Sequence, residues 1–179
     1  PRTVSDMRKR RLLGRTSVCI VLISAFFCSC TRNESRLQQL EDKEDIRRLI
    51  TEYGHTLDSR DFAAFSSLFA EDGEWIGGVG RARGPDAIRA LMDKAIGTGE
   101  AAANLHLFTN EMIDVKGDRA TGITKWIFVI QGEADRPQPV FIGRYIDDFV
   151  RENGSWKFLK RAVHSDIPSD SDISSRKDQ

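Results

Sequence analysis

The sequence predicts an α+β fold in which three N-terminal helices pack on one face of a strongly curved, mostly antiparallel sheet. Three observations predict it. Ile46, Leu49, Ile50, Tyr53 and Leu57 recur at helical spacing and form one apolar face. From Asn104 that period gives way to four runs rich in β-branched and aromatic residues, the composition of strands. Lys116-Gly117-Asp118 and Asn153-Gly154 punctuate those runs, and such pairs suit tight hairpin turns between antiparallel neighbours.

From Met7 the chain reads MRKRRLLGR, then a ten-residue apolar run from Val18 to Phe27, then CSC. A basic stretch, a short apolar stretch and a small-residue site make an export signal. Ten apolar residues are too few for a bilayer core of about 30 Å, which takes about 20. The end of the segment resembles a bacterial lipoprotein signal, which implies lipidation of Cys30 and an exported location, in the periplasm or at the outer membrane. Phe27 stands where such signals usually carry leucine, so cleavage to a soluble secreted protein is the alternative.

After this segment (1–30), residues 31–39 are polar and read as a tether, 40–166 as the folded domain and 167–179 as an unstructured tail. Within the domain, the first helix carries the apolar face just described. Asp61 is placed to N-cap a second helix, FAAFSSLF. EDGEWIGGVGRARG reads as strand, glycine-rich turn and strand, ended by Gly84. Pro85 suits the first position of a third helix, PDAIRALMDKAIG, stopped by Gly97 and Gly99. The strands follow: NLHLFTNEMIDV, DRATGITKWIFVIQ, PVFIGRYIDDFVR and SWKFLKRAVHSD. A bent sheet folded over a long helix leaves a conical pocket between them.

Composition excludes several functions. All three cysteines (Cys19, Cys28 and Cys30) lie in the leader, so the folded part has neither disulfides nor a cysteine-ligated metal. The leader also holds six of the 27 basic and one of the 27 acidic residues, leaving 21 and 26, a net of −5. Phosphate contacts need clustered positive charge, so a nucleic-acid partner is not expected. GGVGRARG lacks the strand and helix context of a phosphate-binding loop, and His106 with scattered acids makes no metal-ligand spacing.

YGHTLDSRD, Tyr53 to Asp61, poses the sharpest question. A helix's last turn carries partial negative charge, so a carboxylate there, Asp58, is unfavourable by about 0.3–1 kcal/mol. Stepping about 100° per residue from Ile46 points Tyr53 inward, puts Asp58 at the border of the buried stripe and turns His55 to solvent. Strand alternation puts His106, Phe108, Asn110 and Met112 on one face. Trp75, Trp126 and Trp156 suit a hydrophobic pocket, a dimer face or the core. Arg144 and Arg161 are expected in surface pairs with Asp147, Asp148 or Glu152, and His164 in a structural role.

The helix order, LDSRDFAAFSSLFAEDGEW after the first helix, and the closing GRYIDDFVRENGSWKFLKR resemble the SnoaL-like branch of the nuclear transport factor 2 superfamily over roughly residues 40–166. The resemblance implies a cone-shaped fold of this class, commonly dimeric through the outer face of its sheet. One detail is narrower. In the branch that includes scytalone dehydratase, bile-acid dehydratase and hexachlorocyclohexane dehydrochlorinase, an aspartate near the end of the first helix orients a histidine 48 positions later. Asp58 and His106 stand 48 apart here, and Tyr53, five positions before Asp58, matches the bile-acid enzyme.

The resemblance thus implies a cofactor-free, metal-free lyase or isomerase of the dehydratase kind, acting on a small hydrophobic molecule. His106 would be the base, Asp58 its orienting partner and Tyr53 a hydrogen-bonding assistant. Phe108, Asn110, Trp126 and Gln131 would line the substrate site. The branch often carries a further histidine or aspartate about 23 to 25 positions after the catalytic histidine. Val129 to Gln131 occupy that region here, and none of them titrates. The alternative is a non-catalytic exported ligand-binding or envelope-associated module, touching membrane only through a lipid anchor.

Overall fold

The computed structural model describes residues 34–97 and 103–169. The leader, Cys30 and the tail from 170 lie outside them. Two compact units divide the chain, Pro1–Glu41 and Asp42–Gln179. In the first, residues 34–41 are helical and exposed. Helix therefore replaces the expected tether from residue 34, consistent with the Glu, Arg, Leu and Gln of that stretch being good helix formers. Among the described residues no helix is long and apolar enough to cross a membrane.

In the second unit, helix α1 (42–58) buries Ile46, Leu49, Ile50 and Tyr53 and exposes His55. It ends where Arg60 takes a positive φ of 58° and the Asp61 N–H donates to the Thr56 carbonyl at 3.0 Å, a left-handed stop. Asp61 then caps α2 (Phe62–Ser67), its side chain accepting from the Ala64 N–H at 3.0 Å. Strands β1 (Phe69–Gly77) and β2 (Gly80–Arg83) form a hairpin, and α3 (Pro85–Ile96) follows with proline at its start. The third helix thus comes after two strands, so the helices do not all precede the sheet.

Four long strands complete the unit: β3 (Asn104–Lys116), β4 (Arg119–Gln131), β5 (Pro137–Glu152) and β6 (Ser155–Ile167). The sheet order is β2-β1-β6-β5-β4-β3. Only the β1–β6 pairing is parallel; β3 through β6 form the antiparallel meander. Register shifts interrupt every long pairing, and each such bulge adds bend and twist to the sheet.

The bulge in β3 corrects one expectation. Between Thr109 and Met112 the register shifts, with Asn110 at a positive φ of 56°. An extra residue reverses the alternation beyond it. His106 and Phe108 stay on the inner face, Ile113 and Val115 join them, and Met112 turns out to 63% exposure.

The inner face closes on an aromatic core of Tyr53, Phe65, Phe69, Tyr145, Phe149 and Phe158. Inside it lies a charge. Arg161 and Asp147, cross-strand partners, are both fully buried and doubly bonded, Nε to Oδ1 at 2.8 Å and Nη2 to Oδ2 at 2.7 Å. The guanidinium carbon stands 4.1 Å from the ring centroids of Tyr53, Tyr145 and Phe158, so cation–π attraction adds to the pair. Arg161 is therefore no surface residue. Arg144 pairs instead with Asp166, at partial exposure.

The two tyrosines of the sequence, Tyr53 and Tyr145, are both buried here. Burial pushes both phenols above their ordinary value, Tyr145 well above it. A group raised on folding contributes its stability below its ordinary value, about 10, and loses it as pH rises. Alkali should therefore yield tyrosinate absorbance only in step with loss of circular dichroism. A smooth ionisation near pH 10 with the fold intact would contradict this packing.

Candidate active site

Asp58 is the last helical residue of α1, and β3 is one of the sheet's two edge strands. Three donors from β3 converge on the Asp58 carboxylate. The His106 backbone N–H reaches Oδ2 at 2.9 Å, the Asn104 amide reaches Oδ1 at 2.8 Å, and His106 Nδ1 lies 2.5 Å from Oδ1. Hydrogen bonds to a charged acceptor are worth about 1.5–3 kcal/mol each, enough to outweigh the unfavourable helix end. The placement of Asp58 has its reason in β3.

A carboxylate only accepts, so the ring contact favours a proton on Nδ1. His106 packs among rings: Phe128 at 4.5 Å, Trp126 at 6.3 Å and Phe108 at 6.4 Å between centroids. Its side chain is 14% exposed and that of Asp58 16%, so the pair is largely shielded from water.

Beside it lies a cavity of about 320 Å³, with walls that include Tyr53, Leu57, Trp75, Met92, Trp126 and Phe141. Among the described residues its lining side chains are uncharged. The Tyr53 hydroxyl accepts from the Trp75 indole N–H at 3.0 Å. His106 is not a wall residue; Trp126 is the side chain that both lines the cavity and meets the His106 ring.

The structure thus brings Asp58, His106, Phe108 and Trp126 together and puts Tyr53 in the adjoining cavity wall. It separates two others. Asn110 is exposed at the β3 bulge, and Gln131, exposed at the end of β4, donates to Asp135 at 2.5 Å. Asn104 is a site residue that the sequence expectations do not include. Its signal was period two: it precedes His106 by two residues and shares its face.

Known proteins resemble the chain over most of its length. A crystal structure of an NTF2-like protein with a cystatin-like fold from Novosphingobium aromaticivorans is 30% identical, with 80% of this chain and 94% of that one covered and a TM-score of 0.69. An uncharacterized protein of Mycobacterium tuberculosis is 27% identical over 135 residues, 73% of this chain and 89% of that protein. The gamma-hexachlorocyclohexane dehydrochlorinase of Sphingobium indicum is 26% identical over 130 residues, 71% of this chain and 82% of the enzyme. With a curved α+β sheet and a SnoaL-like domain matched over residues 38–162, the chain belongs to the SnoaL-like (NTF2-like) family.

Proposed function

We propose that this protein is a cofactor-free lyase or isomerase in which His106 takes a proton from carbon. The observation that carries this is the Nδ1 contact to Asp58 at 2.5 Å. That contact selects the tautomer whose Nε2 lone pair can act as a base. In an elimination, Nε2 accepts the proton, the C–H electron pair forms the new double bond, and the leaving group departs with its own bonding pair. Asp58 then faces an imidazolium and stabilises it. In an isomerisation the same proton returns to a different carbon. The dehydrochlorinase among the relatives supports an elimination of this kind.

The reading is tested by ¹⁵N NMR of the imidazole. Wild type should hold one neutral tautomer, protonated on Nδ1, and Asp58→Asn should show a mixture. A mixture already present in wild type would remove the orienting role. Chloride release from γ-hexachlorocyclohexane is a first trial reaction.

A second reading, ligand binding without turnover, is favoured by one observation: His106 does not line the cavity. Whichever holds, we place a homodimer contact on the outer sheet face, where Leu105, Leu107, Met112 and Ile146 are 43–63% exposed, more apolar surface than isolated positions explain. Leu107→Lys should shift sedimentation from dimer to monomer. An already monomeric wild type would refute the contact.

A further inference from the structure

Two of the three donors to Asp58 meet the same oxygen. The Asn104 amide nitrogen stands 2.8 Å from Oδ1 and His106 Nδ1 stands 2.5 Å from that atom, while the His106 backbone N–H takes Oδ2 at 2.9 Å. The ring contact serves the proposed chemistry; the Asn104 contact has no part in it. An aspartate carboxylate turns easily about its last bond, because an sp³–sp² torsion has broad minima. One hydrogen bond on Oδ2 leaves the plane free to swing Oδ1 away from the ring. A second donor, on Oδ1, fixes both oxygens.

The backbone that carries this donor is itself held. Asn104 pairs with Ile130 and His106 with Phe128 across β3 and β4, and the Gln131 N–H donates to the Ala103 carbonyl at 3.0 Å. Two apart on one strand, Asn104 and His106 present their side chains to the same face and so to the same carboxylate. Asn104 also stands at a boundary. It lines an open groove of about 580 Å³ at the β3–β4 end, with Leu105, Val129, Gln131 and Asp135, and neither Asp58 nor His106 belongs to that wall. An alanine at 104 removes the donor and brings the groove to Oδ1. A leucine, close to asparagine in size, removes the donor and keeps the groove shut, so the two variants separate hydrogen bonding from shielding.

We infer that Asn104 is a positioning residue of the Asp58–His106 pair: its amide pins Oδ1 at His106 Nδ1, so that one carboxylate grips both the backbone and the ring of His106. This deepens the proposed function and rests on it only for what the held ring does in a reaction. Asn104 acts through the ring: by fixing the acceptor it fixes which nitrogen carries the proton, and so which one is left to act as a base.

Imidazole ¹⁵N NMR of the whole protein tests it, with Asn104→Ala and Asn104→Leu measured beside wild type. Loss of one hydrogen bond should lower the ratio of the Nδ1–H to the Nε2–H tautomer of His106 by about 3- to 10-fold in both variants. Urea midpoints read the fold separately, and a midpoint that falls without a change of ratio marks a strand tether. An unchanged ratio in either variant overturns the inference: in both, the amide only ties β3 to α1, and in Asn104→Leu alone, it only shields. If neither variant folds, the wild-type Asn104 side-chain amide decides. Its bonded N–H should move upfield in Asp58→Ala, and an unmoved resonance overturns the inference. A mixed tautomer in wild type removes the catalytic reading alone where the variants still lower the ratio; a single wild-type tautomer that a variant leaves undisturbed removes this inference alone.

Discussion

Replacing Asp147 by alanine is expected to lower folding stability by about 3–5 kcal/mol, the cost of leaving a buried charge without its partner. Both side chains are fully enclosed, and the Asp147 carboxylate takes two of the guanidinium's hydrogen bonds. Burial pushes the Asp147 carboxyl up from its ordinary value against the pull of Arg161. Burial also works against the Arg161 charge, yet Asp147 outweighs it and holds the guanidinium above its usual value. Without Asp147, burial is no longer offset; because a guanidinium does not give up its proton in a protein, the variant buries a cation without its carboxylate.

The three rings around the guanidinium soften that loss, since a desolvated cation–π contact is worth about 2 kcal/mol, but a quadrupole does not replace a carboxylate. The double replacement Asp147→Leu with Arg161→Met should recover most of the loss, because apolar substitutes for both members of a buried pair are often neutral or better. Urea denaturation reads both variants, with the midpoint moving and the slope unchanged. A single-variant loss under about 1 kcal/mol would mean that water reaches the pair and that the core is more open than these contacts describe.

That pair also marks where sequence reasoning stops. Hydrophobic periodicity placed α1, and turn chemistry placed the meander, because both are local properties of the chain. The sequence puts Arg161 at the surface, because an arginine on a strand is usually exposed. Its burial depends on Tyr53, 108 positions earlier, and on a register shift at Asp148/Phe149, neither of which has a local signature. The same holds for Asn110. Simple alternation puts it beside His106, and one inserted residue at the β3 bulge carries it to the surface. The Asp58 and His106 contact was legible only through its spacing in a resembling family. From the residues alone Asp58 was an unfavourable helix-end carboxylate, and the donors that resolve it come from a strand the helix cannot foresee.

In turnover, His106→Gln should lower kcat by about 10²- to 10⁴-fold, the usual contribution of a positioned general base, with KM changed less than about twofold. The split follows from the role: a base that takes its proton only in the transition state adds little to ground-state binding, so its loss appears in kcat. Asp58→Asn should fall between wild type and His106→Gln. Its amide can still accept from the His106 backbone N–H, but it also presents an N–H to a carboxylate site that now receives three donors. One contact must break, and the ring contact is the one whose side chain can rotate away. The base is then present but wrongly oriented. A combined variant should be no worse than His106→Gln alone, because a partner that acts only through the ring has nothing left to orient. Additive losses would assign Asp58 a separate role in the chemistry, and a raised KM with unchanged kcat in His106→Gln would make the histidine a binding residue rather than a base.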